Sequence, residues 1–276
     1  MIEYQNTIAS AYDAGVTEEY SRLTENILRE AEFKLVCELL NEYIPKHTTI
    51  LDIGSGPGRY AEFLLKHDCN VGLVDLSAKS LKSFSDRMID HSKNKNVIFN
   101  EVSCATELDW IADNSADTVL LMGPLYHIVS QESRAKAINH CKRILKPNGI
   151  IFAVFLSPYP KINPVLEMKE VHFSDFESFS NELSNNVTFT EFKGYDVPQY
   201  RCWPCEAIQL LDKFNFKMQR IRNLEGVGAF FPKEKYNTLD TDEKRKSFFQ
   251  ILQSTCENTN LRGITNQYIY VGKLDK

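Results

Sequence analysis

The chain lacks an excess of positive charge. Its 276 residues contain 32 Lys and Arg against 37 Asp and Glu, which gives a formal net charge of −5. Proteins that bind nucleic acid or an anionic membrane usually carry a basic surface. The overall balance therefore offers no electrostatic reason to expect either partner.

Long apolar runs are also missing. The best run, residues 149–156, is far shorter than the ~20 residues of a membrane-spanning helix. Glu3 and Asp13 stand where a secretory signal would have basic residues before an apolar stretch. The seven cysteines are odd in number and scattered through a chain long enough to fold without disulfides. We therefore expect a cytoplasmic protein in a reducing compartment.

The sequence does contain a regular alternation of short apolar runs and helical patterns. The predicted strands are residues 48–53, 71–74, 97–102, 117–122 and 150–156. The predicted helices between them are residues 59–67, 77–91 and 132–145. Strands that are apolar on both faces and alternate with helices are typical of a parallel sheet covered on both sides. The fold class is therefore predicted to be α/β.

Composition divides the chain into four predicted segments. Residues 1–45 have apolar residues at helical spacing and are expected to form a helical lid, and residues 46–156 form the core. Residues 157–203 are rich in proline and aromatic residues and are predicted to be an inserted cap over the open edge of the sheet, with His172 as a candidate base. Residues 204–276 return to strand and helix patterns and complete the sheet.

The most informative motif is Asp52-Ile53-Gly54-Ser55-Gly56-Pro57-Gly58, between the first predicted strand and helix. Glycines at this point let the chain turn sharply and let a ligand approach the backbone. Asp75 ends the next strand, and an acid there can bind both hydroxyls of a ribose. These residues predict an adenosine-containing ligand at the carboxyl ends of the first two strands.

The glycine spacing narrows the class of ligand that this loop is expected to bind. A dinucleotide fingerprint, G-x-G-x-x-G, would need a third glycine at position 59, where this chain has Arg59. A G-K-[ST] phosphate loop is absent as well. The pattern favours a ligand that has a ribose but no phosphate.

At this point the chain resembles the class I S-adenosylmethionine-dependent methyltransferases. The resemblance rests on residues 52–58, on Asp75, on the segment 117–127 that ends in Gly-Pro-Leu-Tyr-His, and on Leu-Lys-Pro-Asn-Gly at 145–149. It covers residues 48–156 well and the last strand–helix–strand region more loosely, and the start of the chain is similar to a bacterial small-molecule branch. The resemblance implies a Rossmann-like, seven-stranded, mostly parallel sheet whose last strand is antiparallel.

The resemblance also implies a cofactor site for S-adenosylmethionine. The glycine loop would hold the methionine moiety, Asp75 the ribose and Leu76 one face of the adenine. Cys104 stands where the family commonly has an Asp for the adenine amine, so backbone groups would have to serve there. The residues expected at the cofactor are Gly54, Ser55, Gly56, Gly58, Asp75, Leu76, Cys104, Ala105, Met122, Tyr20 and Arg22.

Tyr126 and His127 are the catalytic candidates, because the resemblance places them at the methyl end of the cofactor. His127 is a candidate general base, since imidazole titrates near neutrality; alternatively, it only hydrogen-bonds the cofactor or a neighbouring loop. Gly123 and Leu125 stand where enzymes that methylate exocyclic amines have [N/D]-P-P-[Y/F]. The missing amide or carboxylate argues against an adenine or glutamine N-methyltransferase.

The segment Cys202-Trp203-Pro204-Cys205 permits a redox or zinc interpretation. A structural zinc needs four ligands, and the sequence has no second C-x-x-C or paired histidine nearby. The favoured interpretation is that Trp203 packs under the cap and that the cysteines are incidental, with no metal.

The predicted function is transfer of a methyl group from S-adenosylmethionine to an oxygen, nitrogen or sulfur atom of a small molecule by in-line displacement. The alternatives are an RNA or protein methyltransferase and a noncatalytic cofactor-binding protein. The protein is expected to be a monomer or a homodimer.

Overall fold

The computed structural model describes residues 3–89, 92–159 and 186–276, together with residues 177, 180, 181 and 184. Most of the predicted cap, including His172, lies outside these residues. The division of the chain at residues 45, 156 and 203 stays a prediction.

Three helices precede the first strand, where the sequence predicts a helical segment: α1 (Gln5–Ala14), α2 (Val16–Arg22) and α3 (Ile27–Tyr43). Asn26 begins α3, since its side chain accepts hydrogen bonds from the amides of Leu28 and Arg29. These are donors that the first turn of a helix cannot satisfy itself. The apolar face of α3 contributes Val36, Leu39 and Leu40 to the core.

Strands and helices alternate through the rest of the described chain. The strands are β1 (Thr49–Ile53), β2 (Asn70–Asp75), β3 (Val97–Val102), β4 (Ala116–Leu121), β5 (Leu145–Leu156), β6 (Val187–Phe192), β7 (Tyr195–Tyr200), β8 (Phe216–Asn223) and β9 (Gln267–Leu274). The helices are α4 (Arg59–Lys66), α5 (Ala78–Met88), α6 (Pro124–His127), α7 (Gln131–Ile144), α8 (Pro204–Asp212) and α9 (Asp242–Thr255).

Seven strands form one sheet in the order β3-β2-β1-β4-β5-β9-β8. The first five pair in parallel, whereas β9 runs antiparallel to both β5 and β8. The predicted fold is therefore confirmed, including the antiparallel last strand. The chain order reverses at β1, which lies between β2 and β4, and ligands of such sheets bind at the carboxyl ends of the strands beside this point.

The core lies on both faces of the sheet, as the apolar strands predict. Ile50, Leu51 and Ile53 of β1 are at most 2% exposed. Ile50 belongs to the cluster on one face, and Leu51 and Ile53 belong to the cluster on the other. None of the helices built from described residues is both long and apolar enough to cross a bilayer.

The segment 145–149 differs from its prediction. The helix does stop there, since α7 ends at Ile144. Residues 146–149, which lie between the predicted helix and the predicted strand and were interpreted as a turn, are instead the irregular beginning of β5, with Asn148 at φ +64° and a shift in register between Ala116 and Thr118 of the neighbouring strand.

The described end of the predicted cap is a regular hairpin, which the sequence analysis did not foresee. β6 and β7 pair antiparallel and turn through Lys193 and Gly194, both at positive φ. A two-residue hairpin turn needs this conformation at both positions. Lys-Gly is a weaker signal than Asn-Gly, and Pro198 within β7 argues against a strand at that position.

The hairpin packs on α1. The rings of Tyr4 and Phe189 meet at 5.6 Å between centroids, and those of Tyr12 and Phe192 at 5.5 Å. Gly15, between α1 and α2, lies so close to the Phe192 ring that a Cβ there would overlap it. The N-terminal helices and the hairpin therefore form one cover at the carboxyl ends of the central strands.

Candidate active site at the carboxyl ends of the strands

A cavity of about 1000 Å³, partly open to solvent, lies at the carboxyl ends of β1, β2 and β4. Its walls come from the loops after these strands and from α1 and α2. The predicted site residues that line it are Gly54, Ser55, Gly56, Asp75, Leu76, Cys104, Ala105, Met122, Arg22, Tyr126 and His127. The structure thus brings together most of the predicted site.

Two predicted cofactor residues lie outside the cavity lining. Gly58 precedes α4 at φ +82°, and a Cβ there would overlap the Phe84 ring, so this glycine serves helix packing. The Tyr20 ring is held 4.0 Å from the Arg87 guanidinium carbon, and its hydroxyl donates to Glu62 at 3.2 Å. Tyr20 therefore does not close over the site.

The two other loop glycines have different neighbours. Gly54 has φ +77°, and a Cβ there would overlap the ring of Pro124. Gly56 has φ +53°, and a Cβ there would meet only the Glu19 side chain, 3.8 Å away. Gly54 therefore brings two loops together, whereas Gly56 leaves space on the cavity side.

The amides of the glycine loop are committed within the protein. The Gly54 and Ser55 amides donate to the Val74 carbonyl at 2.7 and 3.1 Å. The Gly56 amide donates to Asp75 Oδ2 at 2.7 Å. These donors are not presented to a phosphate, which agrees with a ligand that has none.

Asp75 is fixed at the end of β2. Oδ2 accepts the Gly56 amide, and Oδ1 accepts the Ser77 amide at 2.8 Å. Burial raises the pKa of Asp75 to about 6, although both amide hydrogen bonds act to lower it. The group is still ionised at neutral pH, and each oxygen keeps a lone pair for a ligand hydroxyl.

Asp52 is a feature of the site to which the sequence analysis assigned no role. It is 2% exposed, lines the cavity, and its Oδ2 has no hydrogen-bond partner among the described residues. Burial and, to a smaller extent, the nearby charge of Asp75 together raise its pKa to about 7. A buried carboxylate oxygen without a partner is costly, so this site is better satisfied with a ligand than without one.

Arg22 lines the cavity, but its charge is already paired. Nε lies 3.0 Å from Glu19 Oε1, and Nη1 lies 3.0 Å from Oε1 of the buried Glu32. The guanidinium is thus balanced within the protein, and Glu19 adds an acidic wall that the sequence analysis missed.

Cys104, Ala105, Leu76 and Met122 form less polar walls of the cavity. Cys104 is 1% exposed, and its thiol lies 3.1 Å from the Thr106 hydroxyl. The thiol is thus engaged inside the protein, and a role of backbone groups at this position in binding the adenine amine stays a prediction.

Tyr12, Tyr126 and His127 line the cavity together, with the His127 ring in contact with both tyrosine rings. Because the resemblance predicts the methyl acceptor beside Tyr126 and His127, we call this part of the cavity the acceptor end. His127 is 7% exposed. Its Nδ1 lies 2.9 Å from the Pro198 carbonyl oxygen, and its Nε2 lies 2.8 Å from the Tyr12 hydroxyl. Burial lowers the pKa of His127 to about 4, against the effect of the Pro198 hydrogen bond, so the imidazole is neutral at pH 7.

A family model described as "Methyltransferase domain" matches residues 50–149. This range contains the glycine loop, Asp75 and the acceptor-end residues Tyr126 and His127. Residues 50–149 form a methyltransferase domain. This match supports the predicted class I S-adenosylmethionine-dependent family and the predicted cofactor.

The chain is also similar to proteins that are named as methyltransferases. The chain is 28% identical over 162 residues to the ubiquinone biosynthesis O-methyltransferase of Cupriavidus pinatubonensis. That match covers 55% of this chain and 61% of the relative, so the chain spans less than two thirds of the relative's length.

Two solved structures share the fold over nearly the whole chain. An S-adenosylmethionine-dependent methyltransferase from Methanosarcina mazei is 15% identical with a TM-score of 0.59, and the match covers 86% of this chain and 96% of that one. The 1,6-didemethyltoxoflavin N1-methyltransferase of Burkholderia thailandensis is 14% identical with a TM-score of 0.59, covering 99% and 89%. That enzyme was crystallised with 1,6-didemethyltoxoflavin and S-adenosylhomocysteine.

The cysteine pair lies outside the methyltransferase site. Pro204 begins α8, as its type predicts. Cys202 is buried, with its sulfur 3.3 Å from the Tyr268 hydroxyl, whereas Cys205 is exposed. Within the part of the chain that the structure describes, no three His, Cys, Asp or Glu side chains are grouped to hold a metal ion.

Proposed function

We propose that this protein transfers a methyl group from S-adenosylmethionine to a small molecule. The observation that carries the proposal is a single cavity lined both by two acids, the buried Asp52 and the partly buried Asp75, and by the tyrosines Tyr12 and Tyr126. Such a concave, partly apolar cavity with a few polar groups is typical of a small-molecule site.

The acids of the cavity suit this cofactor. S-adenosylmethionine carries a sulfonium and an ammonium, and the carboxylates of Asp52 and Asp75 supply negative charge in the cavity wall. In the proposed arrangement Asp75 binds the ribose hydroxyls, the Gly54–Gly56 turn lies along the methionine moiety, and Leu76 packs on the adenine. Backbone groups of Cys104 and Ala105 serve the adenine amine.

When bound, the cofactor supplies an activated methyl group on sulfur. The protein's own contribution is then to align the acceptor and to exclude water. In the proposal, the cover formed by α1 and the β6–β7 hairpin aligns the acceptor and excludes water. Tyr12 of α1 and the Pro198 carbonyl of β7 join this cover to the cavity wall through their hydrogen bonds with His127.

A small-molecule acceptor is favoured over the alternatives. The net charge of −5 opposes RNA binding, and the site lies beneath the cover rather than on an open groove. The names of the Cupriavidus and Burkholderia enzymes refer to ubiquinone biosynthesis and to 1,6-didemethyltoxoflavin, which are small molecules. Cytoplasmic location and a monomeric or dimeric state stay predictions.

The test is transfer of label from methyl-labelled S-adenosylmethionine. The full chain is incubated with panels of small phenols, amines and thiols and, separately, with bulk tRNA and unfolded protein. We expect label in a small-molecule product, and much less of it with D75N at a cofactor concentration below the weakened dissociation constant. Label only in RNA or protein would contradict the proposal, and so would cofactor binding without turnover on any panel.

Alanine at Gly56 and at Gly58 should have different effects. G56A places its Cβ in the cavity with strain of about 1–2 kcal/mol at positive φ, so we expect weaker binding of S-adenosylhomocysteine with a modest loss of stability. G58A adds the same strain to an overlap with Phe84, for a total loss of about 3–5 kcal/mol. Thermal unfolding and calorimetric titration of both variants test this, and equal stability losses would contradict it.

A further inference from the structure

Tyr12 and His127 form a hydrogen-bonded pair at the acceptor end of the cavity. Tyr12 lies on α1 and His127 at the end of α6, 115 residues apart in the chain, with the hydroxyl oxygen 2.8 Å from Nε2. Both residues line the cavity. The pair was not predicted, because its two members come together only when α1 packs over the sheet.

The direction of this hydrogen bond follows from the other ring nitrogen. A carbonyl oxygen only accepts, so Nδ1 must carry a hydrogen to bond Pro198 at 2.9 Å. In the neutral imidazole Nε2 then has no hydrogen, and it accepts the hydroxyl hydrogen of Tyr12. The β6–β7 hairpin therefore sets the tautomer of His127 and, through it, the orientation of the Tyr12 hydroxyl.

Two consequences follow for the acceptor. The basic nitrogen of His127 is occupied by Tyr12, so His127 does not itself contact an acceptor. The Tyr12 oxygen has given its only hydrogen to His127 and presents lone pairs alone to the rest of the site. An acceptor that approaches Tyr12 must therefore donate a hydrogen bond from its own nucleophilic atom.

We propose, resting on the proposed function, that Tyr12 takes the proton of a phenolic hydroxyl acceptor and passes its own proton to His127. Tyr12 is then the catalytic residue that contacts the acceptor. His127 is a positioning residue that receives the Tyr12 proton without accepting a hydrogen bond from the acceptor. Leu23, Ile8 and Ile128 supply apolar wall for a ring.

A phenol suits the pair better than other nucleophiles. A phenol has a pKa near 10 and must lose its proton to attack, whereas burial raises the pKa of Tyr12 well above its ordinary value, so Tyr12 stays protonated and passes its proton on only as it receives another. A neutral aromatic amine attacks with a lone pair that it already has, and a thiol ionises closer to neutral pH. Neither requires a relay.

The step balances in atoms and charge. The acceptor O–H bond breaks and its proton goes to Tyr12 Oη, while the Tyr12 proton goes to His127 Nε2. The acceptor oxygen uses its electron pair for the new bond to the methyl carbon, and the pair of the sulfur–methyl bond stays on sulfur. One positive charge disappears at sulfur as one appears on the imidazole, so the cavity gains no net charge. Burial otherwise opposes a charged His127, as its lowered pKa shows.

The first test reads the histidine without turnover. In ¹⁵N-histidine-labelled protein, we expect His127 as the Nδ1–H tautomer with an unprotonated, hydrogen-bonded Nε2. In Y12F, the Nε2 signal should shift toward that of a nitrogen without a hydrogen bond, while the affinity for S-adenosylhomocysteine changes less than about threefold. The opposite tautomer, or an Nε2 signal unchanged in Y12F, would overturn the proposal.

The second test reads turnover. Y12F keeps the ring that packs on Phe192, and we expect it to lower turnover with phenols roughly 100-fold, the scale of general base catalysis. H127Q should lose a similar factor, and the double variant should lose no more than either single one, because the two act as a unit. Y195F, which removes the hydroxyl of an exposed hairpin tyrosine, is the matched control and should keep full activity.

The outcomes also separate this proposal from the proposed function. Transfer to amines or thiols with none to phenols would leave methyl transfer standing and overturn the Tyr12 relay. Transfer to phenols at an undiminished rate in Y12F would overturn it as well. Absence of any transfer by the unmodified protein would remove both.

Discussion

The Asp75→Asn variant is expected to bind S-adenosylhomocysteine about 100-fold more weakly than the unmodified protein. Hydrogen bonds to a charged group contribute about 1.5–3 kcal/mol each, and a 100-fold change corresponds to about 2.7 kcal/mol. The carboxylate is also held by the Gly56 and Ser77 amides, so an amide nitrogen in place of either oxygen would face a donor. Calorimetric titration measures the change directly.

A matched variant shows whether the weaker binding is specific to Asp75 or follows from the loss of any one negative charge. Asp86 on α5 is exposed and pairs with Lys82, away from the cavity. D86N makes the same chemical change, and we expect its affinity to stay within about twofold, since exposed ion pairs contribute little. Unchanged binding in D75N would show that Asp75 does not hold the ribose.

Replacing Asp52 with asparagine should stabilise the ligand-free protein and weaken cofactor binding. An acid whose pKa is raised in the folded state binds more protons when folded, so stability is lost as pH rises toward the folded pKa. For Asp52 this window runs from its ordinary 3.8 to about 7. Asparagine does not ionise, so the variant avoids this loss.

The size of the gain should depend on pH. The shift of about three pKa units corresponds to an upper value of about 4 kcal/mol above pH 7, and water in the cavity will reduce it. Thermal unfolding of D52N and the unmodified protein at pH 5 and pH 8 should show a gap that widens at pH 8. Asp75, whose pKa is raised to about 6, should add a similar trend to both proteins.

Two results would contradict this account of Asp52. If D52N were less stable at both pH values by the same amount, the carboxylate would have a favourable partner rather than an unsatisfied oxygen. If D52N bound the cofactor as tightly as the unmodified protein, its negative charge would not serve the ligand. D86N again supplies the control, with no pH-dependent gain expected.

The fold was predictable because its signals are local. Strands such as β1 are apolar on both faces, and the helices between them have their own periodicity, so the α/β class follows from the sequence. The number of strands and the antiparallel last strand came from the family resemblance, whereas the strand order was not predicted. The hairpin was missed because its turn, Lys193-Gly194, gives a weak signal.

The residues of the candidate site also differ in whether a local sequence signal identifies them. Gly54, Gly56 and Asp75 were identified because a short motif places them beside one another at adjacent strand ends. Tyr12 was not assigned a chemical role, and Tyr20 was expected at the cofactor but packs on Arg87. Which helix face meets the cavity depends on the close contact of Gly15 with Phe192, and no local pattern encodes a contact between such distant residues.

The central claim is that the cavity was shaped for a sulfur-containing nucleoside without phosphates. The most direct measurement is calorimetric titration of the full chain with S-adenosylhomocysteine, with NAD⁺ and ATP titrated in parallel. The account predicts one S-adenosylhomocysteine bound per chain with micromolar affinity and no measurable heat from either phosphate compound. Tight binding of NAD⁺ or ATP, with none of S-adenosylhomocysteine, would contradict it.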